Sequence, residues 1–164
     1  TRKESSAASD VYKRQEHKRK GAMVSIITKE VPLDKASDYG MVVTDEEGRV
    51  LSFQEKPKPE EALSNLASTG IYIFEPEVLD LIPSDTEFDI GSQLFPLLVE
   101  KGVPFFAQKR FFNWIDIGNV KDYWQVSQNV LKGELAHMTM PGTQIADGVW
   151  VGLNTRIDLS LIHI

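Results

Sequence analysis

Glu55-Lys56-Pro57 sets an acid and a base side by side at the end of a strand-like run, Arg49 to Gln54. The proline stops that strand, so both side chains stand at a strand's carboxyl end, the edge where open α/β sheets bind ligands. A lysine there can serve as a point charge for a phosphate, while the neighbouring glutamate accepts hydrogen bonds from the ligand's hydroxyl groups. Taken alone, the tripeptide fits a plain surface ion pair better, an arrangement that contributes almost nothing to stability.

Trp114-Ile115-Asp116-Ile117-Gly118 holds a lone carboxylate within an apolar stretch, at the end of an expected strand and just before a helix that starts near Asn119. Burying an unpaired carboxylate is costly, so Asp116 should meet a metal ion, a lysine or the amides of the following helix. Magnesium takes hard oxygen ligands of this kind, sharing them with phosphates and water. The structural alternative is that Asp116 caps the helix. Phe88-Asp89-Ile90-Gly91 has a similar outline, but a helical pattern follows at once, so Asp89 reads as an N-cap. His17, His137 and His163 lie far apart without ligand spacing and support no metal site. The aromatics Phe105, Phe106, Phe111, Phe112, Trp114, Tyr123 and Trp124 read as core and not as a stacking platform.

The elements that must position these residues follow from periodicity and turn chemistry. Glu16 to Lys20 reads as the last turn of a helix capped by Gly21, and Ala22 to Thr28 as a buried strand rich in β-branched residues. Gly40–Thr44 and Arg49–Gln54 flank Asp45-Glu46-Glu47-Gly48, the clearest hairpin in the chain. A short helix over Glu60–Leu63 leads toward a strand at Leu66–Phe74. Pro76 opens a helix through Leu81, and Pro83 closes it. A second helix spans Asp89–Glu100, strands follow at Val103–Ala107 and Phe112–Ile115, and a helix capped by Asn119 runs to Leu131. Strands alternating with helices give an α/β domain. Beyond Gly133, Ile145, Val151 and Ile157 recur every sixth position among glycines and small residues, the rhythm of a parallel β-helix whose turns need neighbours to bury their apolar positions.

Composition narrows the partners. The 164 residues are 41% hydrophobic, enough for one compact core, and carry 24 acidic against 18 basic groups for a net charge of -6. The basic residues gather at Lys13, Arg14, Lys18, Arg19 and Lys20, leaving the remainder more acidic still, which argues against nucleic acid as a partner. With no cysteine there are no disulfides or thiolate metal sites, and a reducing compartment, the cytoplasm by default, fits. No apolar run approaches the roughly 20 residues that span a bilayer, so no membrane association is expected. Thr1 to Gln15 is polar without period and lies outside fold reasoning. Its DVYKRQ and the closing LSLIHI resemble read-through peptides from sequencing adapters, so residues 1–15 and 159–164 are expected to be non-native and both ends to be cuts.

Read in order, YGMVVTDEEGRVLSFQEKP, SNLASTGIYIF, FDIGSQLFPLL and WIDIGNVKDYW resemble consecutive blocks of the sugar-phosphate nucleotidyltransferases, the group that includes mannose-1-phosphate guanylyltransferases and glucose-1-phosphate thymidylyl- and adenylyltransferases. The resemblance spans about His17 to Gly133. It implies the carboxyl-terminal part of a Rossmann-like, GT-A-like mixed sheet over residues 16–133, followed at 134–158 by the first turns of a left-handed parallel β-helix. It also implies that Gly40 offers its backbone to the sugar, Glu55 binds sugar hydroxyls, Lys56 holds the sugar phosphate, Ser68 lines the sugar pocket and Asp116 is one of two Mg²⁺ aspartates. Lys56 and Asp116 would be the catalytic pair. The substrates would be a sugar 1-phosphate and a nucleoside triphosphate, with mannose 1-phosphate and GTP slightly favoured, in a homo-oligomeric parent.

The family's glycine-rich phosphate loop, its partner lysine and its first metal aspartate have no counterpart in Thr1 to Lys20, so this chain is expected to be inactive by itself. Two other readings stand beside this one. A non-catalytic nucleotide-sugar-binding homologue would have no chemical need to keep Glu55, Lys56 and Asp116 together. A hexapeptide-repeat acyltransferase would take its catalytic histidine from a long β-helix, of which only the first turns are visible.

Overall fold

The computed structural model describes residues 6–112, 114–135 and 138–157, which divide into two compact units, Thr1–Phe112 and Asn113–Ile164. The first unit is built on a five-stranded sheet of β1 (Val24–Glu30), β2 (Gly40–Thr44), β3 (Val50–Glu55), β4 (Leu66–Phe74) and β5 (Phe105–Lys109), in the spatial order β3-β2-β4-β1-β5. β1 runs parallel to β5 and antiparallel to β4, and β2 is antiparallel to both β3 and β4. The sheet is therefore mixed, as the resemblance implies.

β1 is central because every side chain from Val24 to Thr28 is buried, which only a strand paired on both edges and covered on both faces allows. The hairpin forms where the acidic turn requires it. Asp45 Oδ1 accepts from the amides of Glu47 (3.0 Å) and Arg49 (2.8 Å), and Gly48 supplies a φ of 81°. One face of the sheet packs against α2 (Phe95–Glu100), whose Phe95 ring meets Phe53 at 4.9 Å, Phe105 at 5.1 Å and Tyr72 at 5.2 Å between centroids. Val24, Ile26, Val42, Val78, Leu94 and Leu98 complete that core. Burial of each such side chain contributes about 1.5–3 kcal/mol.

Ahead of β1, α1 runs over Ser6–Arg19 and ends on Gly21 at φ 57°, where the Ala22 amide reaches His17 O and the Gly21 amide reaches Lys18 O. That is the glycine cap expected from the sequence. The helix continues upstream of the expected last turn, through residues that show no helical period. His17 is buried at 1% exposure and anchors it, with Nδ1 2.8 Å from Ser25 Oγ and Nε2 3.0 Å from Glu75 Oε1. A network spanning 58 positions in sequence carries no local signal. His137, His163 and the 159–164 tail lie outside the described residues.

Four elements differ from the sequence expectation. Pro76–Leu81 and Pro59–Glu61 are 3₁₀ turns, each opened by a proline and short enough that i→i+3 bonding suffices. The helix expected from Asp89 opens with a π-helical turn over Ile90–Leu94 before α2. Among the described residues of the strand expected over Phe112–Ile115 none is in a strand: Phe112 is a bend and residues 114–118 are irregular. Strand-favouring residue types form a strand only against a neighbouring ladder, and the described sheet ends at β5.

In the second unit, α3 (Val120–Leu131) is capped by Asn119, whose Oδ1 accepts from the Asp122 amide at 3.0 Å. β6 (Thr143–Ala146) and β7 (Val149–Val151) pair antiparallel across Asp147-Gly148, with Gly148 at φ 67°. A two-residue Asp-Gly link favours a hairpin, and a parallel coil is not seen among the described residues. Ile145 and Ile157 of the six-residue rhythm are about half exposed, at 55% and 50%. No helix among the described residues is long and apolar enough to cross a membrane.

Candidate functional site

Strand register gathers the first unit's candidate residues. Gly40 pairs with Glu55 across β2 and β3, Met41 with Ala67 across β2 and β4, and Thr28 of β1 pairs with both Ser68 and Lys109. Extending the antiparallel Met41–Ala67 register by one residue sets Gly40 against Ser68. Glu55, Gly40, Ser68, Thr28 and Lys109 thus form one row across all five strands. Residues so paired point to the same face, here the face packed by α2.

Glu55 and Lys56 are exposed at the end of that row, and no ion pair joins them. The surface ion pair that the tripeptide alone suggested is absent. Lys56 takes φ 45°, left-handed backbone that side chains other than glycine rarely adopt, and its amide donates to Tyr39 O at 3.2 Å. Such backbone costs on the order of 1–3 kcal/mol and persists where the surroundings impose it, commonly at binding sites. The cause here is the turn enforced between the β2–β3 ladder and Pro57.

Ser68 is 9% exposed, and its Oγ lies 3.2 Å from the Tyr72 hydroxyl and 3.4 Å from the Gly70 amide. The register of β1 against β4 shifts between Ile26 and Thr28, and Gly70 takes φ 75° within the resulting bulge. Thr28 is fully buried, and its Oγ1 has no hydrogen-bond partner among the described residues.

Two glycines shape the ground around Glu55. A Cβ on Gly40 would stand 2.3 Å from Phe53 Cζ, so the aromatic ring occupies the space a side chain would need. A Cβ on Gly91 would stand 2.8 Å from Glu55 Oε2 and 3.3 Å from Phe53 Cε1. Asp89 caps the turn that carries Gly91, accepting from the Ser92 amide at 2.6 Å and the Ser92 hydroxyl at 2.7 Å. The Ser92 hydroxyl, with the amides of Ser92 and Gly91, holds the Asp89 carboxyl below its ordinary range. Asp89 is thus the cap that the sequence indicates. Tyr72, Thr28 and Gly91 escaped sequence reasoning. Tyr72 follows Ser68 by four positions on one strand, the only one of the three with a local signal.

Asp116 lies in the second unit and is exposed, so the burial expected of it is not observed. It does not cap α3 either, because Asn119 does. No group of three or more His, Asp or Glu suited to a metal ion occurs among the described residues. Asp116 can offer a metal one hard oxygen, leaving the other positions to water, phosphate or further residues. Chemically, the first unit offers an exposed carboxylate beside an exposed ammonium, with hydroxyls behind them. That set suits a phosphorylated polyol.

A sequence model of the nucleotidyl transferase family matches residues 9–133, which include the whole row and Asp116. The chain belongs to that family. It is 51% identical over 148 residues to a UTP--glucose-1-phosphate uridylyltransferase of Synechocystis sp., covering 90% of this chain and 38% of that protein. It is also similar to glucose-1-phosphate adenylyltransferases. One from Bacillus cytotoxicus is 39% identical over 124 residues (72% of this chain, 32% of that protein). Another, from Clostridioides difficile, is 31% identical over 160 residues (89% and 41%). This nucleotidyl transferase chain therefore spans about a third to two fifths of the length of the curated relatives it matches.

Proposed function

We propose that this chain supplies the sugar-phosphate side of a nucleotidyl transferase that joins glucose 1-phosphate to a nucleoside triphosphate, UTP or ATP, and releases pyrophosphate. The observation that carries the reading is the exposed Glu55-Lys56 pair at the end of the row, with Gly40 beside it on the next strand. The names of the relatives favour glucose 1-phosphate, and nothing in the fold favours mannose 1-phosphate with GTP.

In this reading Glu55 accepts hydrogen bonds from sugar hydroxyls, and Gly40 offers a backbone group to the sugar. Ser68 lines the pocket, and Lys56 holds the phosphate by a charge-assisted contact. A phosphate oxygen of the sugar 1-phosphate attacks the α-phosphorus of the triphosphate, the bond to the bridging oxygen breaks, and pyrophosphate leaves. Lys56 offsets charge on the attacking phosphate and keeps it in line, the kind of help phosphoryl chemistry needs. Asp116, in the second unit, is proposed separately as an Mg²⁺ ligand. Magnesium when bound supplies charge neutralisation at phosphate oxygens.

The remaining expectations belong to the same proposal. They are a cytoplasmic homo-oligomeric parent that binds neither nucleic acid nor membrane, a β-helix drawing on 134–158, and no turnover by these 164 residues alone.

The test is pyrophosphate release by a longer protein containing this sequence, given glucose or mannose 1-phosphate with each of UTP, ATP and GTP in Mg²⁺. Release with glucose 1-phosphate and UTP or ATP is expected. Faster release with mannose 1-phosphate and GTP would restore that preference, and no release from any pair would overturn the reading.

A further inference from the structure

We propose that Gly91 is a positioning residue for Glu55, fixing the direction in which its carboxylate meets the sugar. This deepens the proposed role of Glu55 and rests on it. The two residues are 36 positions apart, on β3 and on the turn before α2. A methyl group at position 91 would stand 2.8 Å from Glu55 Oε2, inside contact distance. Gly91 does not lie in left-handed backbone, so its need for glycine is one of space and not of conformation.

Which side yields is decided by what holds each. The backbone at Gly91 is held upstream by Asp89, which accepts from Ser92 N at 2.6 Å and Ser92 Oγ at 2.7 Å, and whose own amide donates to Gln93 Oε1 at 2.7 Å. Downstream, Leu94, Phe95 and Leu98 are fully buried and hold it in the core. The Glu55 carboxylate is the far end of a flexible, exposed side chain. A Cβ at position 91 would therefore push the carboxylate aside most, while the packed Phe53 ring, 3.3 Å away, would have to give by only a few tenths of an ångström, and the sugar hydroxyls would lose the acceptor where they need it.

The experiment is a double-mutant cycle in the longer protein containing this sequence, reading KM for glucose 1-phosphate and for UTP together with the urea midpoint. Gly91→Ala should raise the glucose 1-phosphate KM about tenfold, the loss of a hydrogen bond or two, with the UTP KM nearly unchanged and only a small fall in the urea midpoint from the contact with Phe53. In a Glu55→Asp background, whose carboxylate stops one methylene short of the contact, the added Gly91→Ala should have little further effect. Equal losses in both backgrounds, a large drop in the urea midpoint of Gly91→Ala, or an unchanged KM would each overturn the inference while leaving the functional reading in place. A wild-type protein that ignores glucose 1-phosphate but folds normally would instead remove the reading on which it rests.

Discussion

Gly40 and Glu55 face each other across the β2–β3 ladder, and the ring of Phe53 fills the space above Gly40 that a side chain would take. The same ring meets Phe95 edge-on at 4.9 Å, which ties the floor beneath Glu55 to the hydrophobic core. A methyl at position 40 would stand 2.3 Å from Phe53 Cζ, and a packed aromatic cannot retreat as a carboxylate can. Gly40→Ala should therefore destabilise the fold by about 1–3 kcal/mol, the usual cost of overpacking. Urea unfolding checks this, and a midpoint equal to that of the wild type would contradict the packing described for Phe53.

Thr28 offers the opposite outcome. Its buried hydroxyl has no partner among the described residues, so a valine of the same shape should be tolerated or should stabilise by about 1 kcal/mol. A loss of stability in Thr28→Val would show that the hydroxyl is hydrogen-bonded in solution.

Acid should weaken the fold in a defined direction. Glu16 is held below its ordinary range first by Arg19, Glu75 first by Lys18 and then by His17, and Asp89 first by Ser92. A carboxyl depressed in the folded state contributes stability that is present above its unfolded pKa, about 4, and lost as pH falls through the folded value. The urea midpoint should be flat in the contribution of these groups above about pH 5 and fall below pH 4. Asp89→Asn should flatten part of that fall, and an identical acid limb in the variant would argue against its share.

Asp116 is exposed, so Asp116→Asn should leave the fold intact. In the longer protein it should lower kcat by roughly a hundredfold or more, as expected for the loss of a charge-stabilising contact. Unchanged turnover in Mg²⁺ would sink the proposed metal role.

Local chemistry made much of this legible from sequence. The Asp45–Gly48 turn and the Asp89 and Asn119 caps rest on side chains bonding backbone within a few positions, the Gly21 cap on local backbone bonds at a positive φ, and these and the β4 limits appear in the structure as read. What escaped depends on distant partners. His17 with Ser25 and Glu75, Gly91 with Glu55, and Phe53 over Gly40 are contacts that no periodicity encodes. The strand expected at Phe112–Ile115 failed for the same reason, since residue type favours a strand but a ladder neighbour is needed to form one. The left-handed backbone at Lys56 was also hidden, because a lysine gives no hint of it. Glu55, Lys56 and Asp116 were found through the order of four family-like blocks, where their own tripeptide and pentapeptide settings left plainer readings open.

Lys56 is proposed to hold the sugar phosphate, and the effect of Lys56→Ala on the two KM values in the longer protein tests this most directly. Losing one charge-assisted contact, worth about 1.5–3 kcal/mol, should raise the glucose 1-phosphate KM by roughly tenfold to a hundredfold while leaving the triphosphate KM within a few-fold. Equal increases for both substrates, or no increase for the sugar phosphate, would contradict it.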